Sequence, residues 1–253
     1  MDVNNVAAVV TGGASGLGGA TARALAKAGA KVAVLDLNGD GAAAMASDIG
    51  GLGLQCDVTD GQAVEAALRR VDDGIGVPRV VVNCAGIGVA ERIVGRDGPM
   101  ALENFARVIN INLIGTFNVL RLAAAAMSRL DELDDGERGV IVNTASVAAF
   151  EGQVGQAAYA ASKGGITALT LPAARELARF GIRVVTIAPG LIETPMFDGL
   201  PDAAREALND LTQFPRRLGH PDEYAGLIMH IAENRLLNGE VIRLDGAVRL
   251  PPR

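Results

Sequence analysis

Seven short apolar runs punctuate the chain, and they restrict its fold more than any other feature. They are VAAVV (6–10), KVAVL (31–35), LGLQ (52–55), RVVVN (79–83), GVIVN (139–143), IRVVTI (182–187) and EVIRL (240–244). Most are continuously apolar instead of alternating, which is the pattern of strands covered on both faces. Between them lie alanine-rich stretches of helical period, near 16–28, 40–49, 61–72, 100–133, 153–179 and 221–232. Strand–helix alternation of this kind predicts an α/β fold: one doubly wound domain spanning 1–253, with a seven-stranded, mostly parallel sheet and helices on both faces. One segment breaks the rhythm. Residues 189–219 form a long excursion between the sixth and seventh strands, with Pro and Gly at its ends and a middle that can be helical. Long excursions in compact domains often act as lids, so a mobile helical flap is expected over about 190–219.

Composition narrows the function. Half the 253 residues are apolar (49%), so a large core is available, and the net charge is -6 with both signs interspersed. No basic stripe suits nucleic acid. No apolar run approaches the roughly 20 residues that span a bilayer, and the N-terminus MDVNNVAAVV lacks the basic and apolar regions of a targeting signal. A cytoplasmic protein without membrane or nucleic-acid partners is the expectation. Cys56 and Cys84 show no metal spacing and read as buried, inert thiols. With no H-E-x-x-H or paired-cysteine motif, no metal is expected. The acidic stretch DELDDGERG (131–139) reads as a solvated loop, His220 as a helix-start residue and His230 as packed or half exposed.

The first strand runs into TGGASGLGGA, where Gly12, Gly16 and Gly18, with Ser15 and Leu17 between them, form a glycine-rich turn before a helix. Such a turn lets backbone approach a pyrophosphate, whose charge the helix N-terminus meets. A tight strand–helix connection is the competing reading, since the spacing is not G-x-G-x-x-G. Asp36, at the end of the second strand, can accept hydrogen bonds from both hydroxyls of an adenosine ribose and would repel a 2′-phosphate. No Arg or Lys follows it in LNGD, which favours NAD over NADP; a solvated strand-end acid is the alternative. Asp57 can meet an adenine amino group and Val58 can offer backbone, while Asp60 suits a helix N-cap. NCAG (83–86) places Cys84, Ala85 and Gly86 at the ligand-binding edge of such a sheet.

The chain has two tyrosines and three lysines, and AAYAASKGG sets Tyr159 and Lys163 four residues apart. On a helix that spacing puts both on one face. A free phenol, with a pKa near 10, is a poor base at neutral pH; a neighbouring ammonium stabilises the phenolate and lowers that value. Ser146, after the fifth strand, can hydrogen-bond the same reacting oxygen. The bland alternative is a surface pair lying over alanines.

T-G-x-x-x-G-x-G at 11–18, NCAG, NINLIGTF at 110–117, Ser146, Y-x-x-x-K at 159–163 and PG at 189–190 occur in an order that resembles the short-chain dehydrogenase/reductases over essentially the whole chain. The resemblance implies a Rossmann-type fold and a catalytic set of Ser146, Tyr159, Lys163 and Asn112, the last binding main chain and supporting a water relay from Lys163. It implies that Tyr159 and Lys163 also contact the cofactor, that Thr194 meets its carboxamide, and that Pro189 and Ile192 line its site. Cys84, where asparagine is common, and LDGAVRL, in place of D-G-G, depart from the usual pattern. The stretches around 143–191, 214–228 and 238–247 resemble the branch that oxidises 3-hydroxyacyl-CoA thioesters and some hydroxysteroids with NAD and forms homotetramers; Pro172, awkward inside a helix, fits it too.

The reading is therefore NAD-dependent oxidation of a 3-hydroxyacyl-CoA or similar hydrophobic secondary alcohol. Gln153 and Gln156, with Ser146 and Tyr159, are candidates for the substrate side, though a structural role for the glutamines is open. An NADPH-dependent 3-oxoacyl thioester reductase is one rival. A dinucleotide-binding scaffold with idle chemistry is another.

Overall fold

The computed structural model describes residues 1–96, 98–194 and 202–252, with the side chains of 202–205 and 207 left aside. Its main sheet holds β1 (Ala7–Thr11), β2 (Lys31–Asp36), β3 (Leu52–Gln55), β4 (Val80–Asn83), β7 (Gly139–Thr144), β8 (Ile182–Pro189) and β9 (Val241–Leu244). Between β4 and β7 the chain adds a small antiparallel ribbon, β5 (Val94–Gly95) with β6 (Gly98–Pro99). The spatial order is β3-β2-β1-β4-β7-β8-β9, and every pairing within the seven-stranded sheet is parallel. The predicted strands match these within one or two residues.

The apolar runs are continuous because both faces are used. Ala8, Val10, Val82, Val142 and Ile187 point into one core, and Val9, Val81, Ile141 and Val184 into the other. The first core is closed by α1 (Gly16–Lys27), α2 (Gly39–Ile49) and α8 (Pro221–Glu233); the second by α3 (Gly61–Ile75), α5 (Gly115–Met127) and the later turns of α6 (Ala157–Leu177). Full burial of each such aliphatic side chain is worth roughly 1.5–3 kcal/mol, so the alternating faces fix strand register as well as stability. Strand order reverses at β1 and β4, which leaves a crevice at their carboxyl ends where open α/β sheets bind ligands.

Several expectations need correction. The predicted helix 100–133 is α4 (Leu102–Ile109) and α5, joined through one π-helical turn, Asn110–Ile114. A π turn holds an extra residue, which hydropathy periodicity does not announce. The continuous segment Leu102–Met127, of 26 residues, is also long and apolar enough by composition to cross a bilayer. Half of its most apolar window is buried within the protein, where Val119, Leu120, Ala123 and Met127 serve the core. In the flap, α7 (Asp202–Leu211) supplies the helix expected in its middle, while 195–201 lie outside the described residues.

The acidic stretch 131–139 is not wholly solvated. Glu137 is buried, and its Oε1 accepts from Arg183 Nε at 2.8 Å. Arg183 also donates to the carbonyls of Ile231 and Leu237 at 2.9 Å and of Ala232 at 3.1 Å. One guanidinium therefore joins β8 to the C-terminal end of α8, where a cation suits the helix dipole. His230, in the last turn of that helix, is exposed, beyond the packed or half-exposed position expected of it. Removing one member of a buried pair leaves an uncompensated charge. Arg183→Ala should lower the unfolding free energy by about 3–5 kcal/mol, read in urea as a lower midpoint with an unchanged slope.

Candidate active site

The carboxyl ends of the strands open onto a cleft of ≈ 1140 Å³. Its floor begins at the glycine turn. Gly12 has φ +61°, and a Cβ built there would stand 2.8 Å from the Ala85 backbone. A Cβ on Gly18 would run into the Gly12 carbonyl oxygen. In both cases the Cβ would meet backbone, which cannot yield as a flexible side chain does, so glycine is required at each. The result holds the β1 and β4 loops together, with Ala85 N donating to Thr11 Oγ1 at 3.2 Å. Ser15 N-caps α1 without a side-chain cap bond, and no acidic side chain sits in the first turn. That helix end is suited to an anion.

Asp36 stands beside the turn. Its Oδ2 accepts from Ala14 N at 3.1 Å and its Oδ1 from Asn38 N at 3.0 Å. These bonds fix a carboxylate at the cleft wall with Leu37, Cys56, Asp57, Val58 and Thr59, none of them basic. Asp57 is turned toward Thr59, accepting from its N at 2.9 Å and its Oγ1 at 2.8 Å. Asp60 caps α3 through Gln62 N and Ala63 N, as its N-cap reading anticipated. The Val58 carbonyl accepts from Asn118 Nδ2 at 2.9 Å, so that part of its backbone is already engaged.

The glycine cradle, the uncapped helix end and a fixed acid beyond it fit a nicotinamide dinucleotide. Gly12, Ser15, Gly16, Leu17 and Gly18 would hold its pyrophosphate, and Asp36 its adenosine ribose.

Across the crevice, the first turns of α6 carry the Tyr–Lys pair. Lys163 is buried, and its Nζ donates to the Thr144 carbonyl at 2.8 Å, with the ammonium 5.8 Å from the centroid of the Tyr159 ring. Burial pulls this ammonium down to about 8, with Cys84 acting in the opposite direction. Burial pushes the Tyr159 phenol up, and a hydrogen bond with Ser146 works against that rise. Ser146 is therefore a group that favours the phenolate against burial. Ser146 follows β7 and caps a 3₁₀ turn, its Oγ accepting from Ala148 N at 3.1 Å.

Asn112 sits inside the π turn and is fully buried. Its Oδ1 accepts from Ile87 N at 2.8 Å, and its Nδ2 donates at 3.0 Å to Ile87 O and to Ser162 Oγ. The expected main-chain binding is present, and it ties the loop after β4 to α6. Ser146, Tyr159, Lys163, Cys84, Ala85, Gly86, Pro189, Ile192 and Thr194 all border the one cleft. Asn112 stands behind it.

Gln153 and Gln156 border the cleft as well, but their amides are occupied. Gln153 Nε2 donates to the Pro251 carbonyl at 3.1 Å, and Gln156 Nε2 to Gln153 Oε1 at 3.3 Å. Sequence reasoning missed Val89, Ala90, Leu208 and Leu250, which give the cleft an apolar wall. No local motif marks Leu250; it reaches the cleft because Val154 N donates to the Pro252 carbonyl and draws the C-terminal tail inward. Among the described residues no group of three or more His, Cys, Asp or Glu side chains could hold a metal ion.

A parallel sheet with a dinucleotide cradle, and a phenol, a hydroxyl and an ammonium at the other end of one cleft, defines a nicotinamide-dinucleotide-dependent oxidoreductase acting on CH–OH groups. Residues 6–205 match the family described as short chain dehydrogenase, and the chain belongs to that family. It is similar to the 3-hydroxyacyl-CoA dehydrogenase type-2 of Bos taurus, with 54% identity over 99% of this chain and 97% of the relative. The crystal structure of the protein of that name from Mycobacterium avium superposes with a TM-score of 0.95 at 43% identity, covering 98% of each chain. The 3-oxoacyl-[acyl-carrier-protein] reductase of Thermotoga maritima is 36% identical over 98% of this chain and 99% of its own.

Replacing Tyr159 with Phe should lower kcat by about 10²–10⁴-fold, the range set by loss of a positioned proton acceptor. Dinucleotide binding, followed by calorimetry, should be unchanged. Full turnover in this variant would remove Tyr159 from the chemistry.

Proposed function

We propose that the protein is an NAD-linked 3-hydroxyacyl-CoA dehydrogenase. Asp36 carries the cofactor choice: its carboxylate is fixed by two backbone amides at the adenosine end of the cleft. A 2′-phosphate there would meet a like charge and, among the neighbouring wall residues, no Lys or Arg. The substrate class rests on the similarity to the type-2 dehydrogenases over nearly full length and on the apolar wall of Val89, Ala90, Leu208 and Leu250, which suits an acyl chain.

When bound, the nicotinamide accepts the carbinol hydride. The protein supplies the proton chemistry. Ser146 Oγ holds the substrate hydroxyl, and Tyr159, as phenolate, takes its proton. Lys163 holds positive charge beside the phenolate as it forms and would help hold the nicotinamide ribose. Asn112 keeps the loop after β4 and α6 in register, so that the relay from Lys163 toward solvent is supported. The flap around α7 covers the acyl chain. Near-attack geometry then follows from two rigid elements, the end of β7 and the start of α6, set against a fixed cofactor.

The same reading makes the enzyme a cytoplasmic homotetramer. Both cysteines are free, as suits a reducing compartment. Leu102 on α4, Ile114 at the end of the π turn and Phe117 at the start of α5 are exposed apolar side chains on the long helical segment, which suits burial between copies.

The proposal is tested by kcat/KM on a panel of 3-hydroxyacyl-CoAs, hydroxysteroids and simple secondary alcohols with each cofactor. Like-charge juxtaposition costs several kcal/mol, and each 1.4 kcal/mol is tenfold. NAD should therefore be preferred over NADP by about 100-fold or more, with a 3-hydroxyacyl-CoA as the best substrate. A clear NADP preference would overturn the cofactor assignment and favour a 3-oxoacyl thioester reductase.

A further inference from the structure

The chain spends its second tyrosine, Tyr224, in an unexpected place. It lies in the first turn of α8, fully buried, in line with Ile228, Ile231 and Ala232 on the face that packs beneath the sheet. Packing alone would be met by Phe or Leu, and a buried phenol needs a partner. The Tyr224 hydroxyl finds one 2.7 Å away, at Thr144 Oγ1, the last residue of β7. Thr144 Oγ1 lies 2.6 Å from the Asn83 carbonyl, which can only accept, so the threonine proton goes there. Tyr224 must then donate to Thr144. Cys84 Sγ stands beside both, at 3.6 Å from Thr144 Oγ1 and 3.7 Å from the Tyr224 oxygen.

The other face of Thr144 belongs to the active site, since its backbone carbonyl receives the Lys163 ammonium at 2.8 Å. Thr144 is thus held through its side chain by α8 and β4 while its main chain holds Lys163. We propose that Tyr224, acting through Thr144, is a positioning residue that fixes the carbonyl on which Lys163 docks. Both tyrosines of the chain then belong to one connected set, Tyr224–Thr144–Lys163–Tyr159, running from beneath the sheet to the reacting oxygen.

The groups that face Lys163 are few. Tyr159 lies on its own helix, with its ring centroid 5.8 Å from Nζ. Cys84 approaches from the end of β4 and acts on the ammonium electrostatically. Tyr224 approaches from α8 through Thr144. The Thr144 carbonyl is accordingly the fixed acceptor that favours the charged lysine. Loosening it lets Lys163 lose charge at lower pH, so the Tyr159 phenolate forms at higher pH. The acidic limb of alcohol oxidation should move upward.

This inference rests on Tyr159 and Lys163 being the proton-transfer pair, and the experiment separates the two ideas. The pH profile of kcat is measured at saturating NAD and substrate for Tyr224→Phe, Thr144→Val, Thr144→Ser and Tyr159→Phe, with the melting temperature of each. For Tyr224→Phe the acidic limb should rise by about 0.5–1 pH unit, which lowers kcat on that limb about 3–10-fold. Thr144→Val should shift it at least as far. Thr144→Ser, which restores the hydroxyl, should return it to the wild-type position. Profiles of Tyr224→Phe and Thr144→Val that superpose on the wild type, with a change only in melting temperature, would overturn the proposal and leave Tyr224 a packing residue. An equal shift for Thr144→Ser and Thr144→Val would overturn it too. A fully active Tyr159→Phe would instead defeat the underlying assignment.

Discussion

A buried ammonium has to be held, and the bond from Lys163 Nζ to the Thr144 carbonyl is what the active site is built around. An amine so enclosed favours its neutral form, and burial draws Lys163 down to about 8 against the opposing influence of Cys84. A carbonyl at hydrogen-bond distance opposes that loss. It also fixes where the charge can sit, one helical turn from Tyr159 on the same face of α6. The same bond joins α6 to the carboxyl edge of β7. Ser146, two residues beyond Thr144, is thereby set against the phenol it bonds. Hydroxyl, phenol and ammonium share one anchor.

That anchor is useful only because the sheet around it is rigid. β7 lies between β4 and β8, with both partners parallel and its residues buried on both faces. Its end is braced on one side by Asn83 and Tyr224 and on the other by α6. The dinucleotide end is fixed by another means: glycines at 12 and 18 let backbone touch backbone where any side chain would force the loops apart. Cofactor cradle and proton-transfer groups are therefore positioned by separate devices at opposite ends of one crevice, which lets the substrate lie between them. A similar division recurs farther from the chemistry. Arg243 pairs bidentately with Glu151 and stacks over Phe150, tying the loop after Ser146 to β9.

Much of this was legible in the sequence because it rests on local patterns. Continuous apolar runs marked the strands within a residue or two, glycine spacing marked the cradle, and Tyr159 and Lys163 stood out in a chain with so few of either. The remainder depends on long-range contacts. Glu137 looked solvated among acidic neighbours, and only the approach of Arg183 from a strand 46 positions onward makes it a buried charge. Gln153 and Gln156 were read as possible substrate contacts, but the C-terminal tail takes up the Gln153 amide and presents Leu250 in their place. The π turn left no signal, since one extra residue in a helix barely disturbs an apolar pattern. Tyr224 lay in an ordinary amphipathic stretch, and its partner is 80 residues away in the chain.

The central claim is that the charge on Lys163 stabilises the phenolate of Tyr159. The composition makes this directly measurable, because the chain has two tyrosines and no tryptophan, and Tyr224 is pushed well above the usual phenol range by its burial. Ultraviolet titration of tyrosinate therefore reports Tyr159 alone across the lower part of the curve. With NAD bound, the first phenol of the wild type should ionise at lower pH than that of Lys163→Met. Coincident titrations in the two proteins would contradict the account.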